Sequence, residues 1–413
     1  MSDLRASPQR WWLMVLLVTG MIFCYSQRGA LSVAAPFMIR ELQIGPSTMG
    51  ILLSAFFWSY SLMQMPAGWL VDRLGVRLGY GIGYAIWSVA TALTGFARGI
   101  GTLIAARMML GIGQATSFPA SARAVSNWFQ DKERGTVTGS YLTGVRLGQA
   151  LISAAGAFIL ARYGFKFFFV LIGVLPMVWL LPWNLFLKKW ESRETGTIQG
   201  GAKGAAPAPV SFVRSLTLLR QRSVMGIFLG FFAYDYAWYV YVNWLPSYLM
   251  IERKFSAREM GIYSSIPYFA MSAVVLLSGI FSDALVRRGH SEVAVRKILI
   301  VTGLMICCLI VPAGLVEDKM TAVWLLTIAL SGLGVATPNT WTLTQAVSSR
   351  NIVGTVSGIQ NFGGNLGGIL APALTGFIAQ ATQSFALALS VTGGILVFGA
   401  LAYIFLVSRT VEA

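Results

Sequence analysis

The chain has 413 residues, of which 56% are apolar and only 11% are charged, against about 25% in an average soluble protein. A water-soluble domain could not cover so much apolar surface, and an aromatic fraction of 13% excludes a disordered chain. The net charge of +16 fits the surplus of Lys and Arg in the cytoplasmic loops of membrane proteins better than nucleic-acid binding. These features predict an all-α polytopic membrane protein.

Apolar segments of about 20 residues, the length that crosses a bilayer, recur along the whole chain. We expect twelve transmembrane helices, over residues 11–35, 46–71, 78–97, 101–122, 135–161, 166–187, 224–250, 259–286, 298–316, 320–347, 353–380 and 383–408. The only long polar linker separates the sixth helix from the seventh and is rich in Gly, Ala and Pro. The expected domains are an N-terminal six-helix bundle (1–187), a cytoplasmic linker loop (188–223) and a C-terminal six-helix bundle (224–413).

The distribution of basic residues predicts the orientation. With both termini inside, 20 of the 31 Lys and Arg residues fall on the cytoplasmic side, eight fall outside and three lie within helices. Because cytoplasmic loops carry the surplus of Lys and Arg, we expect an integral protein of the plasma (inner) membrane with cytoplasmic N- and C-termini.

The two halves are related by an internal repeat. The tripeptide MGI at 49–51 recurs at 260–262, and GTVTG at 135–139 recurs as GTVSG at 354–358. Parallel repeats of six helices predict two pseudo-symmetric bundles around an axis along the membrane normal, with a central binding site near mid-membrane.

A charged loop signature, GWLVDRLGVR at 68–77, follows the second predicted helix. Gly68 permits close helix approach, and Asp72 can meet a helix N-terminus and the guanidinium of Arg77 or of another arginine. Asp283 and Arg288 repeat the spacing 211 residues later. Such a cluster can hold one transporter conformation and break in the other, whereas the alternative is a solvated loop. The predicted gate residues are Gly68, Asp72, Arg73, Arg77, Asp283 and Arg288.

Three arginines lie inside predicted spans of the N-terminal half: Arg28, Arg107 and Arg146. A charge at mid-depth costs at least about 2.5 kcal/mol on insertion scales, so by default it faces the protein interior. No intramembrane acid accompanies them in that half, and the planar guanidinium pairs with carboxylate through two hydrogen bonds. We predict an anion site in which Arg28 and Arg107 bind carboxylate and Arg146 assists. The alternative is a structural role, with bonds to backbone carbonyls or contact with the membrane interface.

Asp235, in FFAYDYAWYVYVNWLP, is the only acid well inside a predicted span. Desolvation and a nearby arginine act in opposite directions on the protonation of such a carboxyl, and that balance suits a group that couples transport to protons. Asp235 is therefore the predicted ion-coupling residue. The alternative is a fixed ion-pair partner for one of the arginines.

Polar side chains that bind substrate hydroxyls are expected beside these charges. Gln27 neighbours Arg28, and Gln114 lies seven residues after Arg107, two turns along the same helix face. The predicted polar contacts are Gln27, Gln114, Tyr25, Tyr60, Tyr141, Tyr234, Asn361 and Asn365. For any one of them, the alternative is a hydrogen bond between helices.

The sequence shows no enzyme signature. A single histidine, His290, excludes a His-based metal cluster and argues against a catalytic triad. The segment GIGQAT lacks the strand–helix context and the lysine of a phosphate loop, which also argues against an ATP-driven pump. We expect neither enzyme activity nor a cofactor or bound metal.

Five stretches carry a resemblance to a known family: CYSQRGALSVA, SAFFWSYSLMQMPAGWLVDRLGVR, GIGQATSFPASARAVSNWF, ERGTVTGSY and SGIQNFGGNLGGILAP. Through them the sequence resembles the anion:cation symporter branch of the major facilitator superfamily. Bacterial galactonate and hexuronate transporters and animal vesicular-glutamate and sialic-acid carriers belong to that branch. The resemblance implies twelve helices, alternating access and an organic anion held by Arg28 and Arg107. Gln27 and Gln114 depart from the pattern, because bacterial proton symporters of the branch have acids there.

The expected function is secondary active transport of a small organic anion, a sugar acid or another hydroxy-carboxylate, by ion-coupled symport with H⁺ as the candidate coupling ion. Since amides do not titrate, three options stay open: Asp235 couples instead, the protein is a uniporter or exchanger, or another ion couples. A substrate sensor that no longer transports is a further alternative. The expected partners are the organic anion and the lipid bilayer, without nucleic acid, and we expect a monomer.

Overall fold

The computed structural model describes residues 9–129, 131–194, 218–349 and 352–407, which are almost entirely helical. Residues 195–217 of the predicted linker lie outside the described residues. The helices before the linker are α1 (Arg10–Glu41), α2 (Pro46–Thr94), α3 (Ile100–Gln114), α4 (Ser117–Trp128), α5 (Asp131–Val174) and α6 (Leu180–Glu194), with a 3₁₀ turn at Leu175–Trp179. Those after it are α7 (Arg222–Ser247), α8 (Ala257–Arg287), α9 (Glu292–Cys307), α10 (Ile310–Leu315), α11 (Lys319–Val347), α12 (Val353–Thr382) and α13 (Ala386–Leu406), with a π-helical turn at Tyr248–Glu252.

Two of these helices are too long for a single membrane crossing. Helix α2 has 49 residues and α5 has 44, whereas about 20 residues at about 1.5 Å each cross the apolar core of a bilayer. Each is broken at a glycine with positive φ, Gly75 at 80° and Gly164 at 75°. Residues with a side chain rarely adopt that conformation, so the two glycines allow each helix to form two spans.

Seven helices in the described ranges are long and apolar enough to cross a membrane. One of them, Thr136–Lys188, contains the break at Gly164 and therefore holds two spans. The remaining spans are the two arms of α2, the pair α3 and α4, and α7 with its π-helical turn. The all-α membrane fold with twelve transmembrane helices is thus confirmed.

The chain folds into two compact units, Met1–Gln43 with Ala55–Gly204 and Ile44–Ser54 with Ala205–Ala413. The boundary falls inside α2 because its first turns pack on α12. Ser54 Oγ donates a hydrogen bond to the Ile369 carbonyl at 2.7 Å, and Ser47 Oγ donates to Gln380 Oε1 at 2.5 Å. Helix α2 therefore begins in the second unit and continues into the first.

In the first unit, α1 packs on α5 through a face of small residues. A Cβ built on Gly144 would lie 2.6 Å from the Val18 carbonyl oxygen. A Cβ on Gly148, one turn later, would overlap the carbonyl oxygen of Ile22. Apolar lipid gives helices little hydrophobic reason to associate, so close backbone packing of this kind stabilises the pair. It also fixes the position of the α1 segment that carries Arg28.

Candidate functional site

An aromatic enclosure surrounds Arg28 in the first unit. The residue lies on α1 and is 5% exposed, and its Nη1 donates to Tyr25 Oη at 3.2 Å. Its guanidinium carbon lies 4.4 Å from the ring centre of Tyr25, 4.5 Å from that of Phe56 and 4.7 Å from that of Tyr60. These cation–π contacts attract the guanidinium without neutralising its charge.

Gln114 holds the Arg28 guanidinium from another helix. Its Oε1 accepts from Arg28 Nε at 2.9 Å, and its Nε2 donates to the Cys24 carbonyl oxygen at 2.8 Å. Gln114 ends α3, which lies close to both arms of α2 because Gly111 and Gly113 have no side chain at the contacts. The glycines of α3 therefore bring the Gln114 amide within hydrogen-bonding distance of α1.

Arg107 lies two turns before Gln114 on α3. Its guanidinium carbon is 5.5 Å from the ring centre of Phe56, the ring that also contacts Arg28, and the residue is 4% exposed. Among the described residues it has no hydrogen-bond or ion-pair partner, and only Nε of its three nitrogens is fully enclosed. The sequence has no acid from 42 to 71 or from 73 to 130. Because burying an uncompensated charge is costly, this arrangement favours an anionic ligand.

The structure thus brings together five of the predicted residues around Phe56. We refer to Arg28, Arg107, Gln114, Tyr25, Tyr60 and Phe56 as the arginine box. Phe56 was not predicted, and an aromatic residue in an apolar span gives no sequence signal that would distinguish it from ordinary packing.

The other predicted residues of the first unit lie in different surroundings. The Gln27 side chain lies outside the arginine box, and its Nε2 donates to the Ile172 carbonyl oxygen at 2.7 Å and to Ser88 Oγ at 3.4 Å. Arg146 is half-buried on α5, within electrostatic range of Tyr25. Tyr141 is buried on the same helix. Gln27 and Arg28 lie in different surroundings because successive residues of a helix point about 100° apart, and a role for Gln27 in substrate binding stays a prediction.

In the second unit, predicted polar residues lie on α7 and α12. Tyr234 Oη is 2.6 Å from Thr337 Oγ1, and the Tyr234 ring stacks on Phe231 with centroids 5.4 Å apart. Asn361 and Asn365 lie one turn apart on α12, and neither forms a hydrogen bond with a described residue. An amide offers both donors and an acceptor, so these two side chains have unused hydrogen-bonding capacity.

The carboxylate of Asp235 packs against a glycine face of α12. The residue is half-buried on α7, and a Cβ built on Gly364 would overlap its Oδ2. A Cβ on Gly367 would lie 2.8 Å from the backbone nitrogen of Tyr236. Tyr403 of α13 lies within electrostatic range of the carboxylate. The glycines therefore allow α12 to approach α7 closely enough to enclose this carboxylate.

We expect Gly364→Ala to lower the melting temperature of the purified protein, because the added methyl group must displace the Asp235 carboxylate. Overpacking of a tight contact costs about 1–3 kcal/mol. The matched control is Gly358→Ala on the same helix, where a Cβ meets nothing within 4 Å. Equal melting temperatures for the two variants in the same detergent would contradict this packing.

Two ion pairs lie at the repeated loop signature, and each uses an arginine that the sequence analysis did not name. Asp72 pairs with Arg123 of α4, so the partner is an arginine other than Arg77. Asp283 pairs with Arg296 of α9 at 2.6 Å. Arg296 is 5% exposed and also lies 3.7 Å from Glu292. The arginines follow their aspartates by 51 and 13 residues, so the internal repeat carries no signal for them.

The remaining predicted gate residues are not members of these ion pairs. A Cβ on Gly68 meets nothing within 4 Å in the described chain, so the expected close helix contact is absent there. The guanidinium of Arg73 lies 5.3 Å from the Trp69 ring centre, and the Arg77 carbonyl accepts from Trp183 Nε1 at 3.1 Å. Arg288 is exposed and has no ion-pair partner among the described residues.

The sequence and the fold have counterparts in known proteins. The model of the Major Facilitator Superfamily matches residues 17–372. The D-galactonate transporter of Escherichia coli O6:H1 is 34% identical over 417 residues, which cover 98% of this chain and 96% of that protein. The probable L-galactonate transporter of Escherichia coli K12 is 33% identical over 408 residues, which cover 97% and 89%.

A solved structure shows the same fold. It is that of a bacterial homolog to the human lysosomal transporter Spinster, in an inward-facing and occupied conformation. It matches with a TM-score of 0.79 over 98% of both chains, at 19% sequence identity. At that identity the likeness establishes the fold alone.

Proposed function

The chain belongs to the major facilitator superfamily, and from this premise we propose that it carries a small organic anion across the membrane by alternating access. The protein is a membrane transporter related to sugar-acid transporters and is not an enzyme. A sugar acid, or another hydroxy-carboxylate, is the proposed substrate. A D-galactonate transporter and a probable L-galactonate transporter match nearly the whole chain, which supports this class.

The observation that carries the proposal is the pair of buried arginines. Arg28 and Arg107 are 5% and 4% exposed, and both guanidiniums lie over the Phe56 ring. Arg107 has no hydrogen-bond or ion-pair partner within the described chain. A carboxylate would accept two parallel hydrogen bonds from its planar fork and compensate its charge.

The hydroxyl groups of the substrate would bind to uncharged polar side chains. Tyr25 and Tyr60 line the arginine box. In the second unit, Asn361 and Asn365 of α12 form no hydrogen bond with a described residue, so their amides retain unused donors and acceptors. A site built to hydrogen-bond a hydroxyl rejects an analogue that lacks it, because its own polar groups are then left unpaired. This supports a polyhydroxylated anion over a simple fatty acid.

The ion pairs Asp72–Arg123 and Asp283–Arg296 are proposed to act as gates that form in one conformation and break in another. Both lie at the repeated loop signature, which we expect on the cytoplasmic side from the distribution of basic residues. We propose the inner membrane of a bacterial cell as the location, with both termini in the cytoplasm and a monomer as the transporting unit.

Symport with a proton carried by Asp235 is the proposed coupling. Its carboxylate is the only one well inside a predicted span, and α12 encloses it. A second candidate is exchange or uniport of organic anions without protons. It is favoured by Gln27 and Gln114, two amides at the positions where acids are expected from the resemblance.

The test is thermal unfolding of the full-length protein in detergent against D-galactonate, a hexuronate, a neutral sugar and an organic cation, at two pH values. A ligand that binds only the native state adds about 2.7 kcal/mol to the free energy of unfolding at 100 times its Kd, and the melting temperature rises as a result. We expect the sugar acids to raise it and the neutral sugar to leave it unchanged. Shifts by the neutral or cationic compounds alone would contradict an arginine-based site.

A further inference from the structure

The Gln114 side chain uses both ends of its amide within the arginine box. Its oxygen accepts a hydrogen bond from Arg28 Nε at 2.9 Å, and its nitrogen donates one to the Cys24 carbonyl at 2.8 Å. An amide or a protonated carboxyl can accept and donate in this way, whereas an ionised carboxylate has acceptors alone. The bond to the carbonyl therefore requires an uncharged group at this position.

We infer that Gln114 acts as a permanent substitute for a protonated carboxyl group, so that the first unit binds the organic anion without taking up or releasing a proton. The inference rests on the proposed function of the arginine box as an anion site. The inference concerns how anion binding at the arginine box is coupled to protons, since it assigns the box a charge that does not change with pH.

The groups around Gln114 support a constant charge. Around Gln114 and its partners Arg28 and Cys24, the nearby titratable and charged groups are Tyr25 of α1, Tyr60, Tyr80 and Tyr84 of α2, Arg107 of α3 and Arg146 of α5. These are thiol, phenol and guanidinium groups, whose ordinary pKa values are about 8.5 or higher. The sequence provides no acid from 42 to 71 or from 73 to 130. No carboxyl or imidazole group lies among them.

Gln27 shows the same chemistry at a second position. Its Nε2 donates to the Ile172 carbonyl at 2.7 Å and to Ser88 Oγ at 3.4 Å. An ionised carboxylate there would face a carbonyl oxygen and repel it. Gln27 and Gln114 thus each make a donor bond to the backbone that a charged acid could not make. Any proton linked to transport must then be carried by another group, for which Asp235 of the second unit is the candidate.

The direct test replaces Gln114 by glutamate and measures the Kd of D-galactonate by calorimetry from pH 8 to pH 4.5. The ratio of Kd between Gln114→Glu and unchanged protein isolates residue 114, because any contribution of Asp235 is common to both. At pH 8 the ionised glutamate offsets one arginine charge, and we expect a ratio of at least about 10. As the pH falls, the carboxyl protonates and donates to Cys24 as the amide does, so the ratio falls toward 1.

A sugar acid stays ionised over most of this range, since the ordinary pKa of such a carboxyl is about 3.3–3.7. The control is Gln43→Glu, which adds the same charge at an exposed position after α1, and its ratio should stay near 1 at every pH. A ratio for Gln114→Glu that is already near 1 at pH 8 would overturn the inference, because the charge at this position would then not affect anion binding.

A second measurement needs no change at position 114. In Asp235→Asn protein, the binding enthalpy of D-galactonate is measured at pH 7 in buffers of different ionisation enthalpy, and the slope counts the protons exchanged. We expect zero protons per anion bound, and about one proton would overturn the inference. Absence of D-galactonate binding to the unchanged protein at any pH would instead count against the proposed substrate, so the two failures are distinguishable.

Discussion

Replacing Arg107 by alanine is expected to abolish saturable uptake of the organic anion while the protein stays folded. Arg107 is 4% exposed and has no hydrogen-bond or ion-pair partner in the described chain, so its removal breaks no hydrogen bond or ion pair among those residues. Loss of one member of a buried charge pair costs about 3–5 kcal/mol, which corresponds to a loss of affinity of at least about 100-fold. Uptake by proteoliposomes and ligand-dependent melting report the two effects separately.

Two further variants show whether charge or geometry is decisive at this position. Arg107→Lys keeps the charge but lacks the planar fork, and we expect it to retain weak binding, about 10-fold below the unchanged protein. Arg162→Ala removes an exposed arginine of the same unit and should leave both uptake and melting temperature unchanged. Normal uptake by Arg107→Ala would show that the anion binds elsewhere.

Asp235→Asn is expected to remove accumulation driven by a pH gradient and to leave exchange of substrate across the membrane intact. The amide keeps the size of the carboxyl group, so the contact with Gly364 is preserved, but it can neither bind nor release a proton. Without the carrier of the proton, the gradient has no route into the transport cycle. Substrate entering proteoliposomes should therefore reach its outside concentration and rise no further.

The measurement compares uptake driven by an inward proton gradient with counterflow of labelled substrate against preloaded unlabelled substrate. Glu317→Gln, which neutralises an exposed carboxylate of the same unit, should retain both activities and serves as the control. Undiminished accumulation by Asp235→Asn would reject Asp235 as the proton carrier. Loss of counterflow together with accumulation would indicate a structural role in the contact with α12.

Proton coupling through Asp235 and an uncharged amide at Gln114 together determine where the charge of the substrate is balanced. If the arginine box holds a constant charge, each anion bound there brings negative charge with no compensating proton in the first unit. Uptake against a negative interior then depends on protons, or on another cation, bound in the second unit. Asp235 lies on α7 against α12, the helix that also carries Asn361 and Asn365, so protonation and substrate binding could bias the same helix pair.

The fold was predictable from the sequence, because membrane helices are specified by properties of individual segments. An apolar stretch of about 20 residues must be helical in lipid, where its backbone groups have no other partner. The expected orientation rests on the surplus of basic residues in the loops, and the relation of the two halves rests on the repeat at 135–139 and 354–358. Both features can be identified in the sequence without knowledge of helix packing. Arg28, Arg107 and Asp235 were found for the same reason, since a charge in an apolar segment is expensive wherever the helix lies.

The partners of these residues depended on the packing of helices distant in sequence. Gln114 was predicted as a polar neighbour, but its two hydrogen bonds to α1 depend on Gly111 and Gly113, which bring α3 close to α2. A glycine in the sequence indicates that another helix can approach closely there, but not which helix does so.

Arg123 and Arg296 illustrate the same limit. Both pair with the repeated aspartates, yet they lie on α4 and α9, at unequal distances along the chain from those aspartates. The sequence by itself determined that the chain spans the membrane, that its halves are related and that it carries arginines within apolar spans. The tertiary structure alone decided which rings, amides and carboxylates surround each charge, because those contacts depend on glycine faces that bring separate helices within hydrogen-bonding distance.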